Sequence, residues 1–99
     1  MKTFEEIRKI LQTQKTYLAQ KYGIREIGIF GSYVRNEQRA DSDIDILIEL
    51  ENPPCIGLMG LANLESYLSG LFHVKADISI KKNLKRRIGK KILNEVVPV

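Results

Sequence analysis

Residues 43 to 50 read DIDILIEL, a strict alternation of polar and apolar positions. In an extended chain successive side chains point to opposite faces. Ile44, Ile46, Ile48 and Leu50 therefore share one face, and Asp43, Asp45, Leu47 and Glu49 the other. VKADISI, residues 74–80, alternates in the same way: Val74, Ala76, Ile78 and Ile80 lie on one side and Asp77 on the opposite one. IREIGIF, residues 24–30, is short and β-branched and predicts a third strand. Elsewhere the period is helical. Thr3 followed by Glu6 fits a capping box, and Ile7, Ile10, Leu11, Tyr17 and Leu18 continue at helix spacing until Gly23, a plausible C-cap. Leu58, Leu61, Leu64, Leu68 and Leu71 mark a second amphipathic helix, and Leu84, Ile88 and Ile92 a last one, before VVPV ends the chain. SYVRNEQ, residues 32–38, predicts a short helix, residues 39–42 a loop, and Asn52-Pro53-Pro54 a break. The resulting order, α-β-α-β-α-β-α, predicts a small sheet flanked by helices, of α/β or α+β class. It leaves strand order and direction open.

A chain of 99 residues predicts a single domain spanning 1–99, and 43% hydrophobic with 28% charged residues is the balance of a soluble globule. No apolar run approaches the ~20 residues a membrane span needs. The opening MKTFEEIRKIL carries acids where a secretory signal needs an apolar stretch, so the expected location is cytoplasmic, with no membrane partner. The single cysteine, Cys55, leaves no intrachain disulfide and no cysteine zinc cluster, and the single histidine, His73, leaves no His-rich metal site. Any metal would rest mainly on carboxylates, which suits hard ions such as magnesium or manganese. The net charge of +4 is uneven, because KKNLKRRIGKK at 81–91 holds seven cations and no acid. Such a block attracts nucleic acid, nucleotide phosphates or an acidic partner, or is simply a solvated helix face. With no aromatic residue interleaved, it gives no support to base stacking.

Only four aspartates are present, Asp41, Asp43, Asp45 and Asp77. Asp43 and Asp45 project to the same side within ~7 Å, an arrangement that like charges disfavour unless a cation lies between them. If the strand of Asp77 is their neighbour, three carboxylates converge on a place for two divalent cations, as in-line nucleotidyl transfer requires. The plainer reading of Asp-x-Asp is the solvated face of a sheet. Gly31-Ser32 follows a strand and opens a turn whose N–H groups can cradle phosphate, or merely a tight turn with a capping serine. Arg35, one turn on, can reach a phosphate, pair with a nearby aspartate, or stand as an ordinary surface arginine.

Together these residues form Gly-Ser-x10-Asp-x-Asp, and GSYVRNEQRADSDIDILIEL resembles the signature of the DNA polymerase β-type nucleotidyltransferase superfamily. Within it the chain is most similar to the minimal nucleotidyltransferase (MNT) group, over essentially its whole length. The resemblance implies the nucleotidyltransferase fold, with Asp43, Asp45 and Asp77 as catalytic metal-binding carboxylates. It implies that Gly31 and Ser32 form the turn that holds the nucleotide, that Arg35 assists there, and that Mg2+ or Mn2+ acts with ATP as substrate. Minimal members typically pair with a helical HEPN ribonuclease toxin. The resemblance thus implies an antitoxin that transfers AMP from ATP to a toxin tyrosine, in a hetero-oligomer with that toxin and without direct nucleic-acid binding. The family often has Ala-Arg-Gly where this chain has Val34-Arg35-Asn36; asparagine tolerates the left-handed backbone a glycine would supply there. The catalytic constellation spans Gly31 to Asp77, leaving little chain for an acceptor domain, so the acceptor is expected on another molecule. Ile56, Leu58 and Met59 are candidates for part of a partner surface, although core packing is the expectation for at least two of them. Two alternatives stay open: an antitoxin that works by occlusion alone, and a stand-alone enzyme acting on a small hydroxylated acceptor such as an aminoglycoside.

Overall fold

Thr3 starts the first helix by a reciprocal cap: its hydroxyl accepts from the Glu6 N–H at 3.2 Å, and the Glu6 carboxylate accepts from the Thr3 N–H at 3.2 Å. The helix, α1 (Phe4–Tyr22), ends at Gly23 in the left-handed region, φ 69°, whose N–H donates to the Ala19 carbonyl. The computed structural model describes residues 2–51 and 56–99. After α1 come β1 (Ile24–Phe30), β2 (Ile44–Leu50), α2 (Leu58–Phe72), β3 (Ala76–Ile80), a single 3-10 turn at Lys81–Asn83, α3 (Arg86–Glu95) and β4 (Val97–Pro98). No helix among the described residues is long and apolar enough to cross a membrane.

The four strands form one mixed sheet in the order β3-β2-β1-β4. β1 runs antiparallel to both β2 and β4, whereas β2 and β3 are parallel and joined by the crossover helix α2. One face is the core. Ile27, Ile29, Ile44, Ile46, Ile48, Ala76 and Ile78 meet Ile7, Leu11 and Leu18 of α1 and Leu64, Leu68 and Phe72 of α2, all buried. Full burial of each large aliphatic side chain contributes about 1.5–3 kcal/mol. The other face carries Asp45 and Asp77, and its far end is covered by the C-terminal segment. Gly28 pairs with Pro98 across to β4, and Val96 lies over Gly28 so closely that an added Cβ would stand 2.6 Å from its Cγ2. The Val99 N–H donates to the Ile27 carbonyl at 3.0 Å, and its carbonyl accepts from Lys15 Nζ.

The α+β class and the small sheet flanked by helices agree with the sequence. Several details do not. Residues 32–38 form no helix: their hydrogen bonds mix i+3, i+4 and i+5 spacing, and Asn36 at φ 57° turns the chain away after one irregular turn. Asp43 stands just ahead of β2 rather than in it, and β3 starts two residues later than the alternation suggested. VVPV is not a tail, because Val97–Pro98 adds the fourth strand. Leu47, on the polar face of the alternation, is nevertheless buried: it pairs with Gly28, at the end of that face where the C-terminal segment lies. Leu58 and Met59 are not core: they are 85% and 83% exposed in the first turn of α2, where Ile56 alone folds back onto the core. The break at Asn52-Pro53-Pro54 and Cys55 lie outside the described residues.

The contact at Gly28 leaves no room for a side chain without shifting Val96 or the Val97 backbone. Gly28→Ala is therefore expected to cost about 1–3 kcal/mol. A lower urea midpoint with an unchanged slope would check this; an unchanged midpoint would mean the C-terminal segment is not seated on β1.

Candidate active site

The site begins with strand pairing. In the central strand β2, Asp45 is flanked by Phe30 at the end of β1 and by Asp77 on β3. Residues opposite one another in a sheet share a face, so the Asp45 and Asp77 carboxylates project to the same side, and Asp43, just ahead of the strand, is near enough for its charge to act on Asp45. Asp45 is half-buried, whereas Asp77 is exposed at the rim. Burial pushes the Asp45 carboxyl from its ordinary 3.8 up to about 6, helped by the negative charges of Asp77 and Asp43 and opposed by Arg35. Burial and the Asp43 charge also raise the Tyr33 phenol.

Next to Asp45 the chain leaves β1 through Gly31. Its φ of 84° is a left-handed conformation, and an added Cβ would lie 2.9 Å from the Asp45 Cγ and closer still to Oδ2. Only glycine fits on both counts. The turn then closes: Val34 and Arg35 N–H both donate to the Gly31 carbonyl, at 3.1 and 3.2 Å, and Glu37 N–H to the Ser32 carbonyl at 2.9 Å. Among the described residues the N–H groups of Ser32 and Tyr33, and the Ser32 hydroxyl, donate to no protein acceptor. They are open donors beside the aspartates. Asn36 takes the left-handed angle that a glycine would otherwise supply.

Arg35 does not reach out alone. Its Nε donates to Glu37 Oε1 at 3.0 Å and its Nη1 to Glu95 Oε1. The other Glu95 oxygen accepts from the Gly31 N–H at 3.0 Å. Burial works to raise the Glu95 carboxyl, but the bonds from Arg35 and Gly31, with Lys91 nearby, hold it below the usual range. The same pair raises Arg35. Glu95 is not singled out by the sequence motif. A signal is there: it is the one acid after Asp77, in the last turn of α3, where the helix dipole disfavours a negative charge.

All six residues picked out by the sequence thus lie at one end of the sheet, three on β2 and β3 or their edge and three in the turn after β1. Their donor set is hard carboxylate oxygen, which fits a divalent cation such as magnesium or manganese. Among the described residues no three carboxylates converge closely enough to enclose an ion unaided. The raised Asp45 is the group a cation would relieve.

Because the folded Asp45 binds its proton more tightly than the unfolded chain does, its contribution to metal-free stability falls as pH rises from about 4 to about 7. Asp45→Asn removes the repelled charge. In EDTA at pH 7 it is expected to stabilise the fold by about 1 kcal/mol, allowing for solvent screening, or about 4–8 °C at this length. The gain should vanish below about pH 4, where the wild-type carboxyl is protonated. Melting curves across that range check it; a gap independent of pH would contradict it.

The family model for the nucleotidyltransferase domain matches residues 11–99. The protein adenylyltransferase MntA of Thermococcus cleftensis is 46% identical over 99 residues, covering 100% of this chain and 98% of its own. A solved structure provisionally assigned as a minimal nucleotidyltransferase superposes with a TM-score of 0.82 at 31% identity, covering 99% of this chain and 97% of that one. A chain of the solved complex of tri-AMPylated Shewanella oneidensis HEPN toxin with MNT antitoxin shares the fold, with a TM-score of 0.65 at 15% identity over 93% of this chain and 66% of that one. A glycine turn against Asp-x-Asp on the central strand, in a chain aligned from end to end with such relatives, places this protein among the minimal members of the nucleotidyltransferase-domain family.

Proposed function

We propose that this protein is a metal-dependent protein adenylyltransferase that acts as an antitoxin, transferring AMP from ATP to a tyrosine hydroxyl of a HEPN-type toxin. The observation that carries the reading is the lateral row at the end of the sheet, with Gly31 pressed on Asp45 and Asp45 paired with Asp77. The relative named protein adenylyltransferase MntA supports protein as the acceptor. The neighbouring complex of an AMPylated HEPN toxin with MNT antitoxin supports the partner.

In this reading Asp43, Asp45 and Asp77 hold Mg2+ or Mn2+. When bound, the ions neutralise the triphosphate and the departing pyrophosphate. The open N–H groups of Ser32 and Tyr33, the Ser32 hydroxyl and Arg35 bind the terminal phosphates and fix the α-phosphorus in line with the acceptor. The tyrosine oxygen attacks that phosphorus while its proton passes to Asp77. The new P–O bond forms as the bond between the α-phosphorus and the bridging oxygen breaks, and pyrophosphate leaves. Catalysis is therefore positioning and charge compensation rather than covalent chemistry on the enzyme. Asp77 is exposed at the rim, open to a large acceptor. The described elements all build the sheet and its covering helices, which favours an acceptor docked from outside.

Mixed with ATP, magnesium and a HEPN-type protein, the protein is expected to add one or more AMP units to that partner, read by mass spectrometry. Asp43→Asn/Asp45→Asn should abolish the transfer with the fold retained. Equal transfer by the double variant, or robust modification of free aminoglycosides with none on the partner, would overturn the reading.

A further inference from the structure

Glu95 lies outside the nucleotidyltransferase motif yet contacts two parts of the proposed phosphate cradle. One carboxylate oxygen accepts from the Gly31 N–H at 3.0 Å and the other from Arg35 Nη1, across 64 and 60 residues of sequence. The Glu95 side chain is 17% exposed against 44% for Arg35, so the shielded partner holds the more open one. The last four residues of the chain anchor Glu95 in turn. Val96 is seated on Gly28, Val97 pairs with Ile29, and Val99 N–H bonds the Ile27 carbonyl. Glu95 thus ends α3 immediately before the segment that pairs with β1, whereas Arg35 stands on an irregular turn.

An arginine has five N–H donors. One goes to Glu37 and one to Glu95, leaving three, among them both on Nη2. A triphosphate can take these without expelling Glu95. A guanidinium held on two sides loses less freedom when it binds, which is the advantage of a supported binding group over a loose one. Glu95 takes the Gly31 N–H and one Arg35 N–H, and leaves the other donors of the cradle to a phosphate. Here the Ser32 and Tyr33 N–H groups remain open.

We infer that Glu95 is a positioning residue for nucleotide binding: it locks Arg35 and the Gly31 turn in the geometry that receives the triphosphate. The inference rests on the reading that the Gly31–Arg35 turn binds ATP, and it assigns the C-terminal segment a part in that site. Glu95 acts through Arg35 and touches neither the α-phosphorus nor the acceptor. The effect belongs in ATP affinity, not in the transfer step once ATP is bound.

The test is calorimetric titration of Mg2+–ATP into the wild-type protein, Glu95→Gln, Arg35→Ala and the double variant, with melting temperatures alongside. Glutamine keeps the length and one acceptor for the Gly31 N–H, so the fold should hold. Glu95→Gln is expected to weaken ATP binding roughly three- to tenfold, the range of a lost charge-assisted contact at a partly exposed site. Arg35→Ala should weaken it at least as much, and Glu95→Gln should add nothing in the Arg35→Ala background, since the two act as one unit. Tighter ATP binding by Glu95→Gln would overturn the inference in favour of a competing anion. Additive losses, or a lower melting temperature with unchanged affinity, would reduce Glu95 to a structural contact. Wild-type protein that binds no ATP would instead overturn the functional reading itself.

Discussion

Parallel pairing of β2 with β3 sets Asp45 beside Asp77, and the candidate chemistry depends on that register. Parallel neighbours cannot be joined by a tight turn, so the helix α2 must cross the core face to return the chain. That same helix supplies Leu64, Leu68 and Phe72 to the core, so the burial that stabilises the sheet also fixes which residues stand opposite one another. A slip of one residue in β3 would send Asp77 into the core and Ile78 to the open face. Burying Ala76 and Ile78 therefore works to keep Asp77 in the row.

The row is electrostatically unfavourable on its own. Burial and like charges raise Asp45, and the positive groups the chain brings near are few: Arg35 on the turn, itself tied to Glu37 and Glu95. A fold that concentrates negative charge against a glycine with no side chain leaves space and potential for cations and phosphate together. The stability set aside here is supplied elsewhere, by apolar packing on the opposite face.

Much of this was legible in the amino-acid order because strand periodicity is local. Alternation in DIDILIEL and VKADISI fixes which aspartates share a side, and the capping pair Thr3–Glu6 fixes where α1 begins. The spacing from Gly31-Ser32 to Asp43 and Asp45 carries the motif. Long-range facts were not legible. Nothing in the order of residues says that β2 lies between β1 and β3. A two-residue strand containing Pro98 carries too little pattern to be read as one, and it can sit only at the edge where β4 lies. The irregular turn at 32–36 has helix-compatible residues, but Gly31 and Asn36 impose left-handed angles at both ends. Glu95 is hidden in the sequence for the same reason as β4: its meaning comes from Gly31 and Arg35, more than half the chain away.

The central claim is that Asp43, Asp45, Asp77 and the Gly31 turn together bind a divalent cation with ATP. Electron paramagnetic resonance of Mn2+ tests it most directly, since the signal of the free ion falls as the ion is immobilised. The account predicts that Mn2+ with ATP is captured by the wild-type protein, that ATP tightens the capture, and that Asp45→Asn loses it. A wild-type protein that leaves the Mn2+–ATP signal as it is in buffer would contradict the account.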